Sequence, residues 1–219
     1  MKVQITVPDS LSDITLDQYQ RFEKLNTEEN KDSSFLLQKM IEIFCNLNLK
    51  DVANIKYNSV KEITKHLNKV FDVKTKLTST FKLGSIEFGF LPVLDDMTLG
   101  EYIDLDTYLG DWSNMDKAMN VLYRPITVKN GNRYNVEDYK ESDNTKLLRD
   151  MPLDIAMGCL VFFWNLNSEL LQITLNYLNQ ETRKMTLEQR QVLQENGDGY
   201  PLSMVSLRKM LPSLIQLPN

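Results

Sequence analysis

The chain carries two copies of one helix-start pattern, and this duplication constrains its fold more than any other feature. The pattern Ile14–Tyr19 reappears as Met97–Tyr102, and in each copy a Thr precedes a Gln or Glu by three residues. A Thr at the N-cap accepts a backbone N–H bond and the Gln or Glu side chain accepts one in return, which makes a capping box. The apolar residue before the Thr and the Tyr four residues after it take the positions of a hydrophobic staple. Each copy therefore predicts the start of an α-helix.

The residues after each copy also match, which favours duplication of a larger unit. Two segments carry apolar residues at helical spacing, and Lys39 in the first aligns with Lys117 in the second. The apolar positions are Leu36, Met40, Ile41, Ile43 and Phe44 in the first segment and Met115, Ala118, Met119, Val121 and Leu122 in the second. A third pair of predicted helices matches Val60–Phe71 with Leu153–Trp164. The alternative is coincidence, because Thr-x-x-Glu/Gln starts many helices.

Two hairpins are predicted from alternating runs around glycine turns. Residues 77–91 place Gly84-Ser85 between two apolar runs, and this hairpin lies between the two repeats. Residues 126–136 contain an Asn130-Gly131 turn and resemble an insertion in the second repeat. The opening Met1–Pro8 alternates like a short strand, which we expect to join the first hairpin.

The predicted fold class is mainly α with small β-hairpins, an α+β protein. It consists of two duplicated three-helix units separated by a hairpin, followed by C-terminal helices. The predicted domains are residues 1–92, with the N-terminal strand, the first unit and the linking hairpin, residues 93–180, with the second unit and its inserted hairpin, and residues 181–219, a C-terminal helical tail. Leu166–Leu178 continue the helical spacing and can extend the third helix of the second unit.

Charge and hydropathy argue against two classes of partner. The chain has 219 residues, 42% of them hydrophobic, and a net charge of −5. Acidic and basic residues are interspersed, so no block of Lys or Arg can neutralise a phosphate backbone, and nucleic-acid binding is not expected. The longest apolar stretch, Cys159–Trp164, is far shorter than the ~20 residues needed to cross a membrane. Cys45 and Cys159 are interpreted as buried thiols in a reducing cytoplasm, with a disulfide between them as the alternative.

No residues stand at catalytic or metal-binding spacing. His66 is the single histidine and has no Cys partner at metal spacing, so it is interpreted as a surface or boundary residue. Asp95, Asp96 and Glu101 lie at a predicted helix N-terminus, where negative charge interacts favourably with the helix dipole. Glu195–Gly199 lacks the carboxylate ladder of a calcium loop. We therefore expect no enzyme activity, no cofactor, no metal and no small-molecule substrate.

The strongest resemblance is carried by the second repeat. Asp96–Leu105, followed by Trp112, Lys117–Met119 and Leu122–Ile126, resembles small tailed-phage proteins encoded near the tail and head genes of Bacteroides-type phages, including the crAss-like group. Pro8–Tyr19 in the first repeat is similar to the same type. The resemblance covers roughly residues 1–180 and implies a tail-assembly chaperone, a baseplate-hub assembly factor or a virion protein. It brings no catalytic residues with it.

The resemblance and the lack of a catalytic set predict a non-enzymatic phage assembly protein. Its expected partner is another phage structural protein or a second copy of the chain, in the host cytoplasm or in the virion. A host-directed phage adaptor or inhibitor is the alternative, and a small hydrolase that uses carboxylates alone is a third hypothesis.

The C-terminal segment offers a candidate partner-binding stripe. The candidate residues are Leu202, Val205, Met210, Leu211 and Leu214. They follow a Gly-Asp-Gly break, and a short amphipathic helix of this kind can dock into a partner's groove. The alternative is that the segment folds back on the protein's own core.

Overall fold

The computed structural model describes residues 5–31, 33–141 and 144–184. These residues contain eight α-helices and four β-strands. The helices are α1 (Leu16–Glu23), α2 (Ser34–Phe44), α3 (Leu49–Ala53), α4 (Tyr57–Phe71), α5 (Leu99–Tyr108), α6 (Met115–Leu122), α7 (Thr145–Leu148) and α8 (Leu153–Lys184), and the strands are β1 (Thr80–Leu83), β2 (Ile86–Phe90), β3 (Tyr123–Asn130) and β4 (Arg133–Val136). The predicted α+β class is confirmed.

Both predicted capping boxes form and start their helices. Thr15 Oγ1 accepts a hydrogen bond from the Gln18 backbone N–H at 3.2 Å, at the start of α1. Thr98 Oγ1 accepts one from the Glu101 backbone N–H at 3.3 Å, at the start of α5. Each N-cap has extended backbone dihedrals, as the position requires. Local sequence is therefore enough to place both helix starts.

The apolar faces predicted for the second helices form the core. All five predicted positions of α2 are buried, and so are all five of α6. The centroid of the Phe44 ring lies 5.1 Å from that of Phe22 and 5.2 Å from that of Phe71. Because each face lies on one side of its helix, burial follows from the 3.6-residue period that predicted it.

The two predicted hairpins form, but they join into one sheet. The strand order is β1-β2-β3-β4, antiparallel throughout the described strands. The link is made by Tyr123–Pro125, which pair with Phe88–Phe90 of β2. These three residues follow directly after α6 and lie before the predicted insertion. The predicted insertion therefore adds strands to the sheet of the first hairpin and does not form a separate sheet.

Two local predictions are wrong. Of the predicted strand Met1–Pro8, residues 1–4 lie outside the described residues and residues 5–8 form no strand. Ile5 and Val7 instead pack, partly buried, against a cluster of Ile41, Cys45 and Val52. The second hairpin turns through Gly131-Asn132 and not Asn130-Gly131, because β3 runs to Asn130. Gly131 has φ +60°, so glycine takes the first central position of the turn, where a positive φ is needed.

Two glycines mark close approaches between elements. The Tyr134 ring lies over Gly89, where a Cβ would come within 2.4 Å of the ring, and its hydroxyl donates to the Phe90 carbonyl at 2.8 Å. On α8, a Cβ at Gly158 would lie 2.2 Å from the Lys76 carbonyl oxygen. Gly89 therefore leaves room for the Tyr134 side chain to reach β2, and Gly158 lets α8 lie against the backbone that leads into β1.

The chain divides after Phe162 into two compact units. The boundary falls inside α8, and this helix runs on through Leu166–Leu178, as the spacing allowed. The domain boundaries at residues 92 and 180 stay predictions. Duplication of whole three-helix units is not established by this architecture, because α4 has 15 residues and its predicted counterpart α8 has 32.

Cys45 and Cys159 are buried and free, as predicted for thiols rather than a disulfide. Burial raises the pKa of Cys45 to about 11 and also raises the pKa of Cys159. Both thiols are therefore protonated at neutral pH and serve as small apolar core groups. Within the described residues, no helix combines the length and the apolar character that crossing a membrane requires.

Candidate interaction sites

The residues predicted to bind a partner lie outside the described residues. They are Leu202, Val205, Met210, Leu211 and Leu214, and their role stays a prediction. Among the described residues, polar networks extend from the two capping boxes, and exposed apolar side chains lie on helices that include α2, α5 and α8.

A buried ion pair links the start of α5 to the start of β3. Glu101 Oε2 accepts from the Thr98 backbone N–H at 2.6 Å, and Oε1 accepts from Arg124 at 2.5 Å. The side chains of Glu101 and Arg124 are each 8% exposed. Burial alone would raise the pKa of Glu101, but the hydrogen bonds from Thr98 and the charge of Arg124 outweigh it and lower that pKa. One carboxylate thus acts as helix cap and as counter-ion.

In the first capping box, a neutral amide both caps its helix and makes a second contact. Gln18 Oε1 accepts from the Thr15 backbone N–H at 2.9 Å. Its Nε2 donates to the Ile43 carbonyl at 2.8 Å and to Asn46 Oδ1 at 3.2 Å. Ile43 belongs to the last turn of α2, and Asn46 follows that helix in the left-handed region with φ 51°. The Gln18 side chain therefore ties α1 to the end of α2.

The two networks end at matching positions of the second helices. In the register set by the aligned lysines, Ile43 falls on Val121 and Asn46 falls on Arg124. The Ile43 carbonyl accepts from Gln18, and the Val121 carbonyl accepts from Arg124 Nε at 3.1 Å. In both networks, the side chain three residues after the capping Thr is connected to the last turn of a helix, directly from Gln18 to α2 and through Arg124 from Glu101 to α6.

Sequence reasoning missed this part of the site. It assigned Glu101 to the helix dipole and singled out no role for Arg124. The alignment of Lys39 with Lys117 contained a signal, because it places Arg124 opposite Asn46, a residue just beyond the end of α2. Only the folded chain brings Arg124 against Glu101, since 23 positions separate them.

Arg124 also lines an open cleft of about 660 Å³ beside α5. Its guanidinium donates to the Glu137 carbonyl at 3.5 Å and lies 5.5 Å from the centre of the Tyr139 ring. Tyr139 in turn donates to Asp104 at 2.8 Å, and burial together with this hydrogen bond raises its pKa. The Arg124 guanidinium is thus already bound by protein groups. Three carboxylates, those of Asp96, Glu101 and Asp138, also line the cleft. The cleft therefore disfavours anionic ligands.

A second buried carboxylate fastens α1 to α6. Asp116 is 1% exposed and accepts from Gln20 Nε2 at 3.2 Å and from Arg149 Nε at 2.8 Å. Gln20 also donates to the Trp112 carbonyl at 2.8 Å, and the Trp112 ring lies 4.5 Å from that of Tyr19. The outward face of α1 is thus covered by the segment that starts α6.

The outward face of α5 is bare by contrast. Leu99, Tyr102 and Ile103 are 75%, 59% and 53% exposed. Their spacing places them on one side of the helix, where they form a patch that we call the α5 face. Acidic side chains surround it in sequence; Asp95, Asp96 and Asp106 are all exposed.

A lysine-rich groove of about 440 Å³ lies between α2 and α4. Its lining residues are Leu37, Lys61, Thr64, Lys65, Asn68, Lys69 and Asp72. Phe35 is also exposed, but it lies two residues from Leu37 and therefore on nearly the opposite side of α2. We call Leu37 and the three lysines the α2 groove. Leu37 lies there beside three lysines and one carboxylate, that of Asp72, so the α2 groove carries a net positive charge in a chain whose overall charge is −5.

The second compact unit carries its own apolar stripe. Leu170, Ile173 and Tyr177 of α8 are exposed and recur at helical spacing. Between Asn165 and Gln180 the chain has one charged residue, Glu169. Depletion of charge around exposed apolar side chains is typical of the centre of a protein–protein interface.

His66 lies at a boundary, as predicted. Its Nε2 is 3.0 Å from the Pro8 carbonyl oxygen and 3.2 Å from an Asp9 carboxylate oxygen. No group of three His, Cys, Asp or Glu side chains that could hold a metal ion occurs in residues 5–31, 33–141 and 144–184.

Comparisons with known proteins return no match to this chain among family models, curated proteins or solved structures.

Proposed function

We propose that the chain is a non-enzymatic phage assembly protein that binds another phage structural protein, as a chaperone or as a component of the particle. The observation that carries the proposal is the apolar stripe of α8, made by Leu170, Ile173 and Tyr177. Soluble monomers leave single apolar residues exposed, but a row of three with little charge around it is characteristic of an interaction surface. The proposed sites of action are the host cytoplasm and the virion.

The polar groups support binding rather than catalysis. The buried carboxylates Glu101 and Asp116 are both engaged in ties between elements. The buried thiols are protonated at neutral pH, which removes their nucleophilic form. In this proposal the charged residues hold the fold and the apolar helix faces make the contacts.

Internal duplication is part of the same proposal. It is supported by the paired capping boxes, the paired apolar faces of α2 and α6, and the matched ends of the Gln18 and Glu101 networks. Matching hydrogen-bond endpoints are a stronger indication than helix-start chemistry alone, because they require corresponding residues on two elements at once.

Affinity capture from phage-infected cells tests the proposal. A tagged chain should retain a protein that is also found by mass spectrometry in purified particles. Presence of the chain itself in those particles would identify a component, and absence would favour a chaperone. Leu170→Ser combined with Ile173→Ser should reduce capture at least tenfold, because both side chains leave the stripe.

Gln172→Ser is the matched control, since it changes an exposed polar residue of the same helix and should leave capture unchanged. Capture of host proteins alone would contradict the assembly role and favour the host-directed adaptor or inhibitor. Equal loss with both variants would show that the apolar stripe is not the binding surface.

A further inference from the structure

The α5 face has carboxylates at both of its ends. Asp106 is exposed and lies seven residues after Leu99, which places it on the same side of α5 as the three apolar side chains. Asp95 and Asp96 are also exposed, and they precede the other end of the patch. The α5 face is therefore an apolar surface with an acidic border, and its complement is a segment that places positive charge beside apolar side chains.

No basic residue offsets these carboxylates in the surrounding sequence. Residues 93–111 contain no Lys, Arg or His, and they contain six acidic residues, Asp95, Asp96, Glu101, Asp104, Asp106 and Asp111. Glu101 pairs with Arg124, and Asp104 accepts a hydrogen bond from Tyr139. The other four are exposed. The border of the α5 face thus keeps a net negative charge that the fold does not neutralise locally.

The exposed apolar surfaces of the chain differ in charge. The α5 face has an acidic border, the α2 groove carries a net positive charge, and the α8 stripe has a single charged residue around it. Complementary charge selects partners and speeds their encounter, and like charge opposes it. A basic apolar segment is therefore attracted to the α5 face, repelled by the α2 groove and little affected by the charge around the α8 stripe.

The chain itself contains a segment with this complementary chemistry. Residues 200–219 lie outside the described residues; their sequence contains no Asp or Glu, in a chain whose net charge is −5. Arg208 and Lys209 stand in the middle of this segment. The candidate partner-binding residues lie on both sides of the two cations, with Leu202 and Val205 before them and Met210, Leu211 and Leu214 after them. Apolar side chains and positive charge are thus combined as the α5 face requires.

From these observations we infer that the α5 face of one molecule binds residues 202–214 of a second copy. The apolar side chains of the segment cover the α5 face, and Arg208 and Lys209 lie beside the carboxylates that border it. The two surfaces are different, so the contact is heterologous and builds rings or open filaments rather than two-fold dimers. It needs no other phage protein and is separate from the contact proposed for α8.

Sedimentation velocity on the full chain tests the inference. The average mass should rise above 25.5 kDa with increasing protein concentration. Leu99→Ser with Tyr102→Ser, the α5 double variant, should abolish the rise, because it removes two exposed apolar side chains from the face. Leu202→Ser with Val205→Ser, the segment double variant, should abolish it as well. Equal melting temperatures in dilute solution would verify that both variants are folded.

Charge reversal tests the electrostatic part of the contact. Arg208→Glu with Lys209→Glu should weaken self-association about tenfold at low salt, because it places carboxylates against carboxylates. The difference from the wild type should shrink at high salt, since added ions screen the charges. Lys31→Glu with Lys82→Glu is the matched control, because it changes the net charge equally at two exposed lysines and should have a much smaller effect.

A mixture of the α5 and segment double variants gives the sharpest outcome. Each variant retains the surface that the other lacks, so one intact contact remains and the mixture should form dimers that grow no further. An excess of a synthetic peptide of residues 200–217 should return the wild-type assembly to monomers by occupying the α5 face. Val128→Ser, at an exposed apolar position of β3, is the control and should assemble like the wild type.

Several results would overturn the inference. These are a monomer at every concentration, assembly that survives either double variant, a mixture that stays monomeric, or charge reversal with no more effect than its matched control. The α5 double variant should still capture a particle protein, because its α8 stripe is intact. A monomeric wild type that captures a particle protein would contradict this inference alone and leave the proposed function standing.

Discussion

The helices α1 and α5 begin with the same chemistry and finish in different surroundings. Each is capped by a Thr whose hydroxyl and backbone N–H are both engaged by the residue three positions on. In α1 that residue is a neutral Gln and the next turn is covered by Trp112. In α5 it is a charged Glu paired with Arg124, and the next turn is open to solvent.

This difference in surroundings separates two functions of the capping-box motif, the helix cap and a tertiary hydrogen bond. The cap is local and is the same in both helices, because it depends on four consecutive residues. The second hydrogen bond of Gln18 or Glu101 is a tertiary contact with a distant residue. The charge of the side chain must therefore complement the group that it meets. A carbonyl faces Gln18 and a guanidinium faces Glu101, so the two residues are not interchangeable.

Exchanging them should give the largest effect. Glu101→Gln leaves a buried Arg124 without its counter-charge and should lower the free energy of unfolding by about 3 kcal/mol. Gln18→Glu replaces a donor to the Ile43 carbonyl with a carboxylate and should cost about 2 kcal/mol. Urea denaturation measures both. Asp106→Asn, exposed on α5, is the control and should stay within about 0.5 kcal/mol of the wild type. Equal, small costs for both exchanges would show that charge at this position is irrelevant.

A fall in pH should weaken the Thr98–Glu101 capping box and leave the Thr15–Gln18 capping box unchanged. The folded-state pKa of Glu101 lies below its ordinary value of 4.5, so its pairing contributes fully above that pH and is lost as pH falls through the lower folded value. Gln18 does not titrate. In an NMR pH titration, the Thr98 amide resonance should move over this range while that of Thr15 stays in place. A shift of both amides together would indicate general unfolding rather than a local titration.

The two tyrosines should differ in what their removal costs. Tyr19→Ala empties a site between Trp112 and Phe71, whose rings lie 4.5 and 5.9 Å away, and should cost about 2 kcal/mol. Tyr102→Ala removes an exposed side chain and should change the stability by less than about 0.5 kcal/mol. Thermal unfolding of the two variants in dilute solution makes the comparison. A cost for Tyr102→Ala near that of Tyr19→Ala would mean that the α5 face is covered.

Removal of the two caps should give the smallest difference between the two helices. Thr15→Ala and Thr98→Ala should each cost about 1 kcal/mol, because each removes one acceptor from a helix N-terminus. Thr15→Ser and Thr98→Ser keep the hydroxyl and serve as controls in the same denaturation series. A twofold difference between the two Ala variants would show that the surroundings of the cap matter as much as its local geometry.

The sequence by itself determined the elements whose cause is local. Thr15 and Thr98 start their helices because a capping box needs only residues within one turn. The buried faces of α2 and α6 follow from their apolar period, and the hairpin at Gly84 follows from its turn. Each of these features is specified within a dozen residues of chain.

Only the tertiary structure decided which of these elements meet. Tyr123–Pro125 pair with β2 and merge two hairpins into one sheet, and Ile5 and Val7 pack on helices rather than extend that sheet. The Glu101–Arg124 pair, the covered α1 face and the bare α5 face all depend on contacts between distant segments. A period or a cap fixes which side of an element is apolar, but packing of the whole chain selects what that side touches, because burial free energy depends on area and not on the identity of the neighbour.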